Sequence, residues 1–84
     1  MNESNLEAIA DRCAKFILAC GDKRGVSPKD LVRYIGDAYR KLTDEERFRV
    51  NVLVCKVKGI AFSSVNGEFR YWPRQVAPEE AARV

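Results

Sequence analysis

Catalysis, metal binding and nucleotide binding each need particular side chains at particular spacings, and this 84-residue chain offers few of them. It has no histidine, the side chain that most often serves as a general base near neutral pH. Its three cysteines, Cys13, Cys20 and Cys55, are an odd number, which argues against a complete disulfide framework. Cys13 and Cys20 lie two helical turns apart on one apolar face, and Cys55 sits in a valine-rich run. All three read as buried, reduced thiols without an activating base. A zinc site wants four ligands, and there is no Cys-x-x-Cys pair here, so neither a metal nor another cofactor is expected. Asp44, Glu45 and Glu46 form the only acidic cluster, and helix capping accounts for them. Asp22-Lys23-Arg24-Gly25 lacks the Gly-x-x-x-x-Gly-Lys spacing of a phosphate-cradling loop, and Ser63-Ser64 has nothing nearby to activate it. No enzyme and no small-molecule substrate are expected.

What remains is chemistry of contact. The net charge is only +3, too small by itself to imply a polyanion partner, but its distribution is uneven. Residues 47–74 hold six basic side chains (Arg47, Arg49, Lys56, Lys58, Arg70 and Arg74) against the single acid Glu68, whereas residues 1–46 are close to balanced. Asn51, beside Arg47, is a residue type that reads adenine bidentately in a major groove. Phosphates neutralised by such a face would release counterions, giving affinity that falls with salt. Tyr34, Tyr39, Trp72 and Arg74 are the corresponding candidates for a protein interface, where aromatic and Arg residues dominate. The same residues also read as a solvated surface and half-buried packing positions.

The elements that must position these residues are clearly punctuated. Ser4 with Glu7 is a capping box, followed by apolar positions at Leu6, Ile9, Cys13, Phe16, Ile17 and Cys20 and then Gly21, which predicts a first helix over about 5–20. Ser27-Pro28-Lys29-Asp30 opens a second helix with Leu31, Tyr34, Ile35, Ala38 and Leu42 as its stripe, about 14 residues long, with Gly36 on its other side. Thr43-Asp44-Glu45-Glu46 caps a third, over 47–58, whose stripe is Phe48, Val52 and Cys55 although its valines favour a strand. Asn66-Gly67 is the preferred pair for a type I′ turn, and it sets Ser64 opposite Phe69, Ser63 opposite Arg70, Phe62 opposite Tyr71 and Ala61 opposite Trp72. Ile60, Phe62, Phe69 and Tyr71 should pack on the helices, leaving Ser63, Glu68, Arg70 and Trp72 on the open face.

The fold class is therefore mainly α with a C-terminal β-hairpin (α+β): a single domain over 1–74 with the hairpin at 60–73, and a frayed tail over 75–84. The longest apolar run, Phe16 to Cys20, is far short of a membrane span, and Asn2-Glu3-Ser4 does not open a signal peptide, so a cytoplasmic location is expected.

Arg47 to Ile60 resembles the recognition helix of a winged helix-turn-helix running into its first wing strand, and the Asn66-Gly67 hairpin ending in Phe69-Arg70-Tyr71-Trp72 resembles the wing. The resemblance covers about residues 5–73. It implies a nucleic-acid-binding regulator, DNA rather than RNA, working as a homodimer, with Arg47, Arg49, Asn51, Lys56, Lys58 and Arg70 as contacts. The near-absence of a turn between the second and third helices departs from that pattern. The alternative is a compact inhibitor of the kind phages and mobile elements make, such as an anti-CRISPR or polymerase inhibitor, which acts by binding a host protein complex.

Overall fold

The computed structural model describes residues 3–65, 67–78 and 82–83. Helix α1 spans Glu3–Leu18 and buries Leu6, Ile9, Ala10, Cys13, Ala14 and Ile17, positions that recur every three or four residues on one face. That face packs chiefly on the last helix, and also on the second helix and the hairpin. Ser4 and Glu7 lie within α1 rather than at its edge, and the helix stops two residues before Cys20.

The second helix is not continuous. Helix α2, Pro28–Ile35, has Ser27 as a full capping box with Asp30 and Pro28 in its first turn. It ends at Gly36, whose φ of 81° and ψ of −145° suit glycine rather than an L side chain. A single turn, α3, Asp37–Arg40, follows in a new direction. Most of the expected stripe survives the break, with Ala38 partly buried against the core. Leu31, Ile35, Tyr39 and Leu42 are buried, whereas Tyr34 is exposed and stacks on Phe16 with ring centroids 4.1 Å apart.

Helix α4, Asp44–Cys55, starts from a second complete capping box. The Glu46 amide donates to Thr43 Oγ1 at 3.1 Å, and the Thr43 amide donates to Glu46 Oε1 at 2.9 Å. Its valines are helical despite their strand preference because Val50 and Val54, four residues apart, are fully buried against the rest of the core. Strands β1, Ile60–Val65, and β2, Glu68–Pro73, pair antiparallel in the register expected from the turn, with Phe62 opposite Tyr71 and Ala61 opposite Trp72. Asn66 itself lies outside the described residues. The tail, expected to fray, turns back through the Val76 and Ala77 amides onto the Pro73 carbonyl, and Ala82–Arg83 form a short strand β3 beside β1. Val26 bridges Tyr71 on the other side of the sheet, with N–H···O distances of 2.8 and 2.9 Å. No described helix is long and apolar enough to cross a membrane.

Tyr71 and Tyr39 are among the largest buried side chains of the core. The Tyr71 hydroxyl lies buried beside the Cys55 thiol without an oxygen or nitrogen partner. A buried hydroxyl without a good partner costs roughly 1–3 kcal/mol. Tyr71→Phe is therefore expected to leave the protein as stable as before or up to about 1 kcal/mol more stable, as judged by the midpoint of urea unfolding. A loss of more than about 1 kcal/mol would mean that the hydroxyl is hydrogen-bonded after all.

Candidate functional site

Helix α4 is apolar on two opposite sides. Val50 and Val54 face the core, while Phe48 points the other way and is 70% exposed. Phe48 and Val52, one turn apart, share the outer side, and neither packs against the core cluster. The stripe expected to be the buried one is thus largely the outward one. Glu45, Phe48, Arg49 and Val52 together line a shallow depression of about 360 Å³.

The basic residues that sequence places in one region do not form one face. Arg47 is half-buried: its guanidinium lies 5.7 Å from the centre of the Tyr39 ring, and Nη2 donates to the Arg40 carbonyl at 2.8 Å. That group supports the end of α3 and is not offered outward. Arg49 and Lys56 are both exposed and lie seven residues apart, on the same side of α4 as Val52. Arg49 also reaches Glu3 at 3.6 Å, an exposed pair worth little on its own. Asn51 is half-buried on the flank of the helix. Lys58 lies beyond the helix end, close to Arg74, whose amide donates to the Gly59 carbonyl at 2.8 Å.

Arg70 goes elsewhere. Strand alternation puts it on the sheet face opposite Tyr71, away from α4, and its Nη1 donates to the Arg24 carbonyl at 2.8 Å while Nη2 pairs with Glu68 at 3.3 Å. With Arg24, Lys29 and Arg33 it lines a polar groove of about 510 Å³ beside the start of α2. In that groove Asp22 is bound by the Arg24 amide and guanidinium, which hold its carboxyl below the usual range.

Two of the expected aromatic anchors are unavailable. Tyr39 is 2% exposed and Trp72 is 4% exposed. The open face of the hairpin is covered at that end by the 22–25 loop, since the Trp72 indole donates to the Lys23 carbonyl at 2.8 Å. Tyr34 stays exposed but is engaged with Phe16. Compared with protein families, curated proteins and solved structures, the chain has no match. What it does therefore rests on its own surfaces.

Cys13 is buried as expected, whereas Cys20 and Cys55 are only partly buried, and Cys13 and Cys55 are poor nucleophiles. Burial pushes the Cys13 thiol up to about 11 and moves Cys55 in the same direction. Cys13 therefore stays protonated well above neutral pH, and the buried Tyr39 and Tyr71 hydroxyls are shifted upward by burial too. These shifts have a consequence for stability. Between pH 9 and about 11 the unfolded chain has lost the Cys13 proton that the folded chain keeps, so stability falls as pH rises through that window. The loss attributable to Cys13 is about 2–3 kcal/mol when complete. Urea midpoints taken from pH 8 upward should decline beyond pH 9, and a flat profile through pH 10 would contradict the burial of this thiol.

The exposure of Phe48 is the feature of this surface hardest to read from sequence. Its helix carries two apolar stripes, and only the direction from which α1 arrives decides which is buried.

Proposed function

We propose that this chain is a non-enzymatic protein-binding module of winged-helix-like order whose contact surface is the outer side of α4. The observation that carries this reading is Phe48, a large aromatic side chain left 70% exposed beside Val52 on a helix whose other side already supplies the core. Covering it would remove on the order of 140 Å² of apolar surface from water, worth roughly 3 kcal/mol. Glu45 stands at one end of this surface, with Arg49 beside Phe48 and Lys56 at the other end, so a fitting partner presents an apolar patch flanked by charges of both signs. Three free cysteines suit a reducing, cytoplasmic setting. Among the candidate classes, the compact inhibitor or adaptor of phage or mobile-element type fits better than the DNA-reading regulator.

Three features weigh against DNA. In a winged helix the first turns of the recognition helix approach the bases, and here those turns carry Asp44, Glu45 and Glu46. The hairpin tip offers Glu68 and no basic side chain. Arg47 and Arg70, two of the six expected contacts, are spent on the protein itself. Titration of a labelled random duplex, followed by anisotropy at low and moderate salt, tests the choice. The protein reading expects no salt-sensitive micromolar binding. Binding that collapses with salt and is lost in Arg49→Ala/Lys56→Ala would instead establish the nucleic-acid reading. Those two positions are the proper probes, because truncating Arg47 would also remove its contact with Tyr39.

A further inference from the structure

Glu45, Arg49, Val52 and Lys56 follow one another at spacings of four, three and four residues, so they form a line along the exposed side of α4, with Phe48 beside it. Glu45 stands at the N-terminal end of that line and Lys56 at the C-terminal end, both exposed, with Val52 and Phe48 between them; Arg49, also between them, is paired within its own chain with Glu3 at 3.6 Å. Such an arrangement is complementary to itself in reverse. A two-fold axis makes each contact occur twice, residue i meeting j and j meeting i. Two α4 helices crossing antiparallel would set Glu45 of each chain near Lys56 of the other and close Phe48 and Val52 between them. We infer that the protein occupying the outer side of α4 is a second copy of this chain, forming an isologous α4–α4 dimer. This rests on the reading of that side as a protein-binding surface.

Charge complementarity selects the occupant. The helix dipole alone would favour an acid at the start and a lysine at the end, but it gives no reason for Phe48 and Val52 to lie between them on the outside. The area is modest. A 12-residue helix is about 18 Å long, so the contact falls short of the ~800 Å² per partner of a standard interface. The dimer is therefore a weak one that forms with concentration.

Sedimentation equilibrium over a wide concentration range tests it. The wild-type mass should rise from 9.5 kDa toward twice that value, and Phe48→Asp should raise the dimer dissociation constant by at least about tenfold. Glu45→Lys and Lys56→Glu should each weaken the dimer roughly fivefold, and the double substitution should restore it, because each pair is merely exchanged. Circular dichroism on each variant shows that the helices remain. A chain that is monomeric at every concentration, or single substitutions that the double does not rescue, would overturn the second copy as occupant. A monomer that still uses Phe48 to hold a different protein would overturn the dimer alone, whereas a Phe48 substitution that changes no protein contact would overturn the reading of α4 as well.

Discussion

Replacing Gly25 with alanine is expected to destabilise the protein by about 3 kcal/mol or more. Gly25 has a φ of 78°, and a Cβ there would stand 2.6 Å from Trp72 Nε1, 2.7 Å from Trp72 Cε2 and 2.7 Å from the Tyr71 carbonyl oxygen. None of these neighbours can yield cheaply. The Tyr71 carbonyl is held by the Val26 amide, and the indole N–H by the Lys23 carbonyl. Relief of the clash would expose Trp72 and leave buried polar groups without partners, on top of the ~1 kcal/mol cost of a left-handed L residue. Urea unfolding with Trp72 fluorescence, the only tryptophan signal, measures both the loss and the exposure of the ring. Gly21→Ala is the control, since a Cβ there meets nothing within 4 Å, and it should lie within about 0.5 kcal/mol of the parent. A Gly25→Ala protein as stable as the parent would mean that the loop does not cover the hairpin.

Phe48→Asp should behave in the opposite way, leaving stability within about 0.5 kcal/mol of the parent while weakening partner binding at least tenfold. Phe48 contributes little to the core and much to the surface. Val50→Ala, two residues along the same helix, is the reverse probe: Val50 is fully buried, and its truncation should cost about 2 kcal/mol. If Phe48→Asp proved the more destabilising of the two, the sides of α4 would be assigned the wrong way round, and the proposed contact surface would go with them.

The contrast between these probes shows what the sequence could convey. Local chemistry was legible. The Ser27/Asp30 and Thr43/Glu46 boxes mark helix starts that the structure keeps, and the turn chemistry at residues 66–67 led to the correct register for the four pairs from Ser64–Phe69 to Ala61–Trp72. Even the local signals compete, however. Ser4 and Glu7 have capping-box spacing but sit inside α1, and Gly36 ends a helix that periodicity alone would carry on to Leu42. The reason is that a spacing rule describes one element, whereas the chain direction after Gly36 is decided by burial of Tyr39 and Leu42 in the shared core.

The site was harder because it depends on contacts between distant segments. Strand alternation correctly separates Trp72 from Tyr71, but only the packing of a loop 49 residues earlier shows that Trp72 is covered. Arg47 and Arg70 count as surface charge in the sequence, yet both guanidinium groups donate to backbone carbonyls of other segments. Helix α4, with Val50 and Val54 on one side and Phe48 and Val52 on the other, gives no period that distinguishes inside from outside. The tertiary structure supplies that distinction, on which the proposed reading of α4 as a docking surface rests.

The most direct measurement is photo-crosslinking in the native host with benzoylphenylalanine placed at position 48, and at position 34 as an equally aromatic exposed control. The expected result is one discrete protein adduct from position 48 that is absent from position 34, its mass identifying either a second copy or another protein. Absence of any protein adduct from position 48, or an adduct with nucleic acid in its place, would contradict the assignment of this face to protein binding.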